Sequence, residues 1–211
     1  MPATRNKTRV PASEVDRYHH GSLRGALLGA ARSLLEDEGF EALTLRAAAR
    51  RAGVSQAAPY HHFADKAALL CAVATEGFRE LSAAMRGRME SESDAIARLN
   101  AVGFGYVEFA VANPAVFRLM FGGALAKAGA GSELSEASAA AYQILRDAVS
   151  ALDPEHREDA HVVGLESLAS WALVHGLATL FNEGGVDPRK YDCKNVLMLT
   201  KSILSRRTRP T

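Results

Sequence analysis

Several polar side chains in the segment 43–66 have the chemistry needed to bind double-stranded DNA. The amide of Gln56 can form two hydrogen bonds to an adenine, and the guanidinium of Arg46 can do the same to a guanine. Lys66 is expected in the first turn of a helix, where free backbone N–H groups attract anions. The side chains that can hold phosphates are Thr44, Tyr60, His62 and Lys66.

A helix-turn-helix is the element that would position these groups, and the segment LTLRAAARRAGVSQAAPYHHF, residues 43–63, has its pattern. Thr44 is an expected N-cap, and the small alanines after it let two helices cross closely. Gly53 permits a sharp turn, and Ser55 is expected to cap a second helix that runs to about His62. On spacing alone, a helical hairpin with solvated polar tips fits the same pattern.

The flanking segments also have helical periodicity. Ser22 is an expected N-cap of a first helix that stops at Gly39, and Asp65 is an expected cap of a helix that starts at Lys66. Residues 1–17 are polar and basic, so we expect a flexible arm, which a plain disordered terminus would also explain. The expected domains are therefore the arm 1–17, a DNA-binding domain 18–66 with its motif at about 43–62, and a second domain 67–211.

The segment from His20 to Leu70 resembles the DNA-binding domain of TetR (tetracycline-repressor-like) regulators. Its Gly-Phe, Leu-Thr, Ala-Gly-Val-Ser, Tyr-x-x-Phe and Lys-x-x-Leu-Leu elements occur in family order and without a gap. Pro59 departs from the family, in which a larger aliphatic residue is more usual, and this leaves open a recognition helix that starts one residue later. The DNA-facing residues that the resemblance implies are Thr44, Arg46, Gln56, Ala57, Ala58, Tyr60, His62 and Lys66.

The remainder of the chain also predicts helices and no strand, so we expect an all-α protein of about nine helices. Asn113-Pro114 should end one helix, and the glycine-rich stretch 122–131 should form a flexible loop. Asp153-Pro154 and Asp187-Pro188 each combine a cap with a proline at the first helical position, and should open two further helices. Gly184-Gly185 should close the helix that Asp153-Pro154 opens.

Aromatic and methionine residues concentrate between positions 104 and 121, which indicates an apolar effector pocket with a few polar groups. For any single one of these residues, core packing is the favoured explanation. Arg118 could pair with an acidic ligand or lie on the surface. The expected effector-binding residues are Tyr106, Phe109, Phe117, Met120, Phe121, Tyr142, Trp171 and His175.

The segment 106–121 and the later Trp171 and His175-Gly176 are similar to the effector domain of one TetR subgroup, named for its Trp-His-Gly motif. This similarity implies an all-helical domain for ligand binding and dimerisation. It does not imply a particular ligand.

The helix expected over 167–182 is nearly apolar on all sides, so it should be buried both by its own chain and by a partner chain. Its small residues would let another helix approach closely, and the last helix would complete a four-helix dimer interface. A central core helix of a monomer is the alternative. The expected interface residues are Ala169, Ala172, Gly176, Leu199 and Ile203.

Composition and motifs argue against other classes. The net charge is +1, but residues 1–66 hold 10 Lys and Arg against 7 Asp and Glu, which suits a polyanionic partner. The sequence has no nucleophile and base at a spacing typical of a catalytic motif, so we do not expect an enzyme. It also has no metal-ligand pattern, and we expect neither a cofactor nor a metal site. Two distant cysteines and the lack of about 20 consecutive apolar residues favour a cytoplasmic protein without membrane contact.

These observations predict a dimeric, DNA-binding transcriptional regulator. We expect a repressor that a small apolar or amphipathic effector releases from a palindromic operator. The alternative is a DNA-binding regulator that has no small-molecule effector and is gated by a protein partner.

Overall fold

The computed structural model describes residues 12–126, 131–153, 155 and 159–207. The described residues contain helices and turns without a strand, which confirms the all-α prediction. The chain divides into two compact units, with the boundary between Leu69 and Leu70. Within the expected arm, residues 1–11 lie outside the described residues.

The first unit contains α1 and α2, a 3₁₀ turn, and the start of α3; the second unit contains the rest of α3 and all later helices. The bounds are α1 Ala12–Glu38, α2 Leu45–Arg51, the first 3₁₀ turn Ala58–His61, α3 Lys66–Met89, α4 Ala95–Ala112, α5 Pro114–Phe121, α6 Gly123–Ala126, α7 Ser132–Ser150, α8 Ala160–Asn182, the second 3₁₀ turn Pro188–Tyr191, and α9 Val196–Arg207.

Four local signals of the first unit act as predicted: the caps Thr44 and Asp65 and the turn glycines Gly39 and Gly53. The Thr44 hydroxyl accepts a hydrogen bond from the Ala47 N–H at 3.0 Å, and an Asp65 carboxylate oxygen accepts one from the Ala68 N–H at 2.8 Å. Gly39 and Gly53 have φ values of +83° and +70°, which a side chain would strain. Both caps and both glycine turns are therefore confirmed.

Arg51 of α2 forms ion pairs with two carboxylates at the end of α1. Its guanidinium forms ion pairs with Asp37 and, at 2.6 Å, with Glu38. The position of the turn after α2 thus depends on two carboxylates at the end of the preceding helix.

In the second unit, α4 is the central helix and packs against α7, α8 and α9. Its backbone also approaches α3, since a Cβ atom added to Gly105 would lie 2.8 Å from the Ala84 carbonyl oxygen. Glycine is therefore needed at position 105 for these two helices to pack so closely.

Helices α4 and α8 are both long and apolar enough to cross a membrane, each with a mean hydropathy of 1.2 over its most apolar stretch. The predicted helix covered only the uncharged run 167–182, whereas α8 begins at Ala160 and also contains Glu166. Core helices of soluble proteins have the same length and composition, so this finding is weak support for a membrane protein.

Three helix boundaries differ from the prediction. Residues 12–17 belong to α1 and not to an arm, because no proline or glycine interrupts the chain between Pro11 and Gly21. Ser22 is therefore inside α1 and is not its cap. In the predicted loop 122–131, residues Gly123–Ala126 form the short helix α6, and 127–130 lie outside the described residues.

The two Asp-Pro pairs also act differently from the prediction. The cap of α8 is Asp159, which accepts hydrogen bonds from the N–H groups of His161 and Val162. Asp153 instead accepts a hydrogen bond from the Glu155 N–H, before the start of α8. Asp187 does cap a turn, but that turn is a short 3₁₀ segment, and α9 begins later at Val196. Asp192, the residue after this 3₁₀ turn, takes the left-handed conformation, with φ of 56°, and ends the turn.

Candidate DNA-binding and effector sites

The predicted DNA-facing residues all lie in the first unit, on or next to α2 and the 3₁₀ turn and at the start of α3. Five of them are exposed, and Tyr60 has 53% of its surface exposed. The exposed residues are Thr44, Arg46, Gln56, Ala57 and Tyr60, and the half-buried ones are Ala58, His62 and Lys66.

The segment expected to be a recognition helix is a 3₁₀ turn, which corrects the prediction of a helix capped by Ser55. Its N–H groups bond three residues back: Ala58 N donates to Ser55 O at 3.1 Å, and Tyr60 N donates to Ala57 O at 3.2 Å. Pro59 is buried and has no N–H, so it cannot make the four-residue bond of an α-helix. Pro59, where the sequence departs from the family pattern, thus lies within the 3₁₀ turn.

Lys66 has a structural contact that the sequence does not reveal. Its ammonium donates a hydrogen bond to the Phe40 carbonyl oxygen at 3.1 Å and lies 4.5 Å from the centre of the Phe40 ring. Lys66 therefore ties the start of α3 to the turn after α1. An ammonium has three donors, so two remain for a phosphate.

Arg50 was not among the predicted residues, yet it is exposed on α2 one helical turn after Arg46. The spacing of four was the available signal, since residues i and i+4 share a helix face. Arg51 is different, because its guanidinium is held by the two carboxylates of α1. All three arginines of α2 are exposed, and Arg46 and Arg50 are those that no described residue holds in an ion pair.

The second unit encloses a cavity of about 260 Å³ with mostly apolar walls. Tyr106, Phe121, Tyr142 and Trp171, half of the predicted effector-binding set, line it. The wall that α3 provides was not predicted from the sequence. That wall consists of Phe78, Leu81 and Met85.

A chain of two hydrogen bonds crosses one wall of this cavity. The Trp171 indole N–H donates to the Tyr106 hydroxyl at 3.2 Å, and that hydroxyl lies 2.8 Å from His175 Nδ1. Burial raises the pKa of Tyr106 and lowers the pKa of His175, so the phenol is protonated and the imidazole is neutral. We therefore assign the Tyr106 O–H as donor and His175 Nδ1 as acceptor, which leaves the imidazole proton on Nε2.

His175 and Phe117 do not line the cavity but belong to a second, smaller pocket of about 160 Å³. Phe121 borders both spaces, and its ring centre lies 4.8 Å from that of His175 and 4.9 Å from that of Phe117. The predicted single pocket is thus divided into two by an aromatic wall.

Phe109 and Met120 border neither space. Both are buried, and a Cβ atom on Gly77 would lie 2.7 Å from the Met120 sulfur. Met120 therefore fills the gap left by that glycine, and the core-packing alternative applies to these two residues.

The predicted dimer-interface residues separate into two groups. Ala169 and Ala172 are exposed on α8, Gly176 and Ile203 are half-buried, and a Cβ atom on Gly176 would meet nothing within 4 Å. Leu199, by contrast, is only 6% exposed and lies in the core of its own chain, because α9 packs its apolar face on α4. The sequence analysis missed the larger exposed side chains of this region, which are Val162, Leu165, Leu168 and Leu180 on α8 and Met198 on α9.

Two family models match the chain, one over each unit. Residues 27–73 match the model described as "Bacterial regulatory proteins, tetR family", and residues 99–199 match "Tetracyclin repressor-like, C-terminal domain". Together the two models cover more than half of the chain.

Among curated proteins, the chain is similar to the HTH-type transcriptional activator FasR of Mycolicibacterium smegmatis, with 31% identity over 106 residues. This match covers 50% of the present chain and 48% of FasR, so the chain spans about half the length of that relative.

Solved structures share the fold over nearly the whole chain. A protein of unknown function from Rhodococcus sp. RHA1 has a TM-score of 0.74 and 38% identity, covering 90% of this chain and 95% of its own. A TetR family transcription regulator from Marinobacter aquaeolei VT8 has a TM-score of 0.63 and 19% identity, covering 89% of this chain and 96% of its own.

Proposed function

Because this chain belongs to the TetR family of DNA-binding transcriptional regulators, we propose that it is a dimeric repressor released from a palindromic operator by a small effector. Regulators of this family are transcription factors and not enzymes, and they bind DNA operators as homodimers. The name of the matched relative calls that protein an activator, so repression by the present chain is the proposal to be tested. We further propose that its effector domain belongs to the Trp-His-Gly subgroup and that the protein acts in the cytoplasm.

One observation carries the effector proposal: α3 contributes side chains both to the DNA-binding unit and to the cavity. The helix starts at Lys66, beside the other DNA-facing residues, and its later residues Phe78, Leu81 and Met85 form a cavity wall. A molecule in the cavity would contact α3 directly. We propose that the effector changes the position of α3 and thereby the spacing of the two DNA-binding units in the dimer, which should be about 34–36 Å for consecutive major grooves.

The cavity walls indicate the class of effector. Val102, Val174 and Leu204 are among its apolar lining residues, and the half-buried Ser138, Tyr142 and Ser170 add hydroxyl-bearing side chains to the lining. We propose a small apolar or amphipathic molecule whose polar end lies near these hydroxyls.

For the DNA contact, we propose that Gln56 and Arg46 contact bases and that Thr44, Tyr60, His62 and Lys66 contact phosphates. Ala57 and Ala58 would lie against the DNA without a polar contact. The exposure of Gln56 and Arg46 supports this division, because a base-reading side chain must reach beyond the protein surface.

For the dimer, we propose that the exposed apolar face of α8 packs on the same face of a second copy. This face runs from Val162 through Leu165 and Ala169 to Gly176, with Ile203 of α9 beside it, and we leave Leu199 out because it is buried in its own chain. Gly176→Leu should overfill the contact and cost about 1–3 kcal/mol of dimer stability. Sedimentation decides this: a Gly176→Leu protein that stays dimeric at low micromolar concentration rules out the placement.

The test of the whole mechanism uses thermodynamic reciprocity. A candidate effector found by thermal-shift screening is titrated with and without saturating operator DNA. If the effector lowers operator affinity tenfold, about 1.4 kcal/mol, the operator must lower effector affinity tenfold as well. Equal effector affinities in the two titrations would exclude a ligand switch and favour the regulator gated by a protein partner. Activation of a reporter gene by the effector-free protein would exclude repression.

A further inference from the structure

The second pocket of the effector domain is lined by a cationic side chain, an anionic side chain and two phenylalanine rings. Arg118 of α5 and Glu183, which follows α8, both line this space of about 160 Å³, together with Phe117 and Phe121. Among the described residues, neither Arg118 nor Glu183 has an ion-pair partner, although they border the same small pocket. Both residues are exposed and border the same space without pairing with each other, so both charges can contact a ligand that enters it.

The Arg118 side of the pocket offers hydrogen-bond donors. The guanidinium carries five N–H donors in a fork that matches a carboxylate. His175 adds another donor, since its Nδ1 is occupied by the Tyr106 hydroxyl and its remaining proton is on Nε2. Thr179, also on the pocket wall, contributes a hydroxyl.

The Glu183 side offers acceptors. Glu183 is the C-cap of α8, so its carboxylate lies where the helix carries a partial negative charge. Asn182 beside it donates its amide N–H to the Ala110 carbonyl oxygen at 3.1 Å, and no described residue donates to its side-chain oxygen, which can accept from a ligand. A positively charged group is stabilised at this end of the pocket.

We propose that this pocket binds a small zwitterion with an apolar side chain, of the α-amino acid class. The ligand carboxylate pairs with Arg118 and the His175 Nε2–H, the ammonium pairs with Glu183 and the Asn182 oxygen, and the side chain lies on the rings of Phe117 and Phe121. This site is distinct from the larger cavity, and only Phe121 borders both. A ligand here contacts the wall of the effector cavity and modulates effector binding through the Phe121 ring and through the hydrogen bond between His175 and Tyr106.

The inference is tested with three probes that differ by one charged group each: L-phenylalanine, 3-phenylpropionate, which lacks the ammonium, and phenethylamine, which lacks the carboxylate. Binding to the full chain is followed by NMR titration of the His175 ring signals. We expect L-phenylalanine to bind about tenfold more tightly than either single-charge probe, since each charge-assisted contact is desolvated only in part.

Two charge-removing variants separate the ends of the pocket. Arg118→Gln should remove the preference for L-phenylalanine over phenethylamine and leave phenethylamine binding unchanged. Glu183→Gln should remove the preference over 3-phenylpropionate and leave 3-phenylpropionate unchanged or tighter. Arg86→Gln, on the exposed face of α3, is the matched control and should change none of the three affinities.

The proposal is overturned if L-phenylalanine does not shift the His175 signals, if 3-phenylpropionate binds as tightly as L-phenylalanine, or if Arg118→Gln acts no differently from Arg86→Gln. These outcomes leave the proposed repressor intact, because its test measures operator–effector coupling through the larger cavity and uses none of these variants.

Discussion

Replacing Tyr106 by phenylalanine removes one oxygen atom from the cavity wall and breaks two hydrogen bonds at once. The hydroxyl is the shared partner of the Trp171 indole and the His175 imidazole, at 3.2 and 2.8 Å, and the tyrosine is only 5% exposed. No other change of a single atom in this wall affects both neighbours. We expect the folded state to lose stability without a change in fold.

The magnitude follows from the two bonds. A neutral hydrogen bond contributes about 1 kcal/mol net, and an orphaned buried partner costs about 1–3 kcal/mol. Trp171 and His175 are half-buried, so water can approach them and the cost stays at the lower end. We expect a loss of about 2 kcal/mol, which lowers Tm by about 4–8 °C for a chain of this length.

The matched control is Tyr142→Phe, in the same cavity. Its hydroxyl has no hydrogen bond among the described residues, so we expect less than about 0.5 kcal/mol of change. Urea denaturation followed by far-UV circular dichroism, at one fixed protein concentration, gives both values. Equal losses for the two variants would show that the Tyr106 hydroxyl contributes nothing through its two partners, and would refute this reasoning.

Three further predictions concern other parts of the molecule. Gln56→Ala should cost about 1–3 kcal/mol of operator affinity and relax the preference at one base pair per half-site; an equal loss on all DNA sequences would contradict the base contact. Gly105→Ala should destabilise the folded protein by about 1–2 kcal/mol because the new Cβ atom would clash with the Ala84 carbonyl. The control Gly87→Ala, which has open space around its Cβ position, should stabilise the protein by up to about 1 kcal/mol. Thermal unfolding measures both changes. Burial lowers the pKa of His175 below its ordinary value of 6.5, so as the pH falls the imidazole is protonated in the unfolded chain before it is protonated in the folded chain. The free energy of unfolding should therefore decrease as the pH falls below 6.5. A pH–stability curve of His175→Asn should lack this decrease.

The parts of the fold that the sequence predicted correctly depend on neighbouring residues. Thr44 and Asp65 cap their helices because the acceptor and the bonded N–H are three residues apart. Gly39 and Gly53 mark turns because no other residue takes positive φ so readily. Such signals involve one helical turn or less, and they do not depend on tertiary packing.

The predictions that were wrong or incomplete depend on distant contacts or on competing local ones. Lys66 bonds to a carbonyl 26 positions earlier, and Tyr106 meets His175 69 positions later; no periodicity in the sequence reports either contact. Leu199 has the spacing of an interface residue, but apolar spacing cannot distinguish a partner chain from the core of the same chain. At Pro59, the helical pattern of the flanking residues favoured an α-helix, and the missing N–H favours the 3₁₀ turn.

Trp171 also gives the protein an intrinsic fluorescent probe of the cavity. It is the single tryptophan of the chain, and its indole forms part of the cavity wall with its N–H bonded to Tyr106. Emission excited at the red edge of the indole band therefore comes from one known place, with no background from other tryptophans. A molecule that enters the cavity should change the intensity or colour of that emission. The effector could therefore be sought in a compound library with no label and no DNA, before the genes that the protein controls are identified.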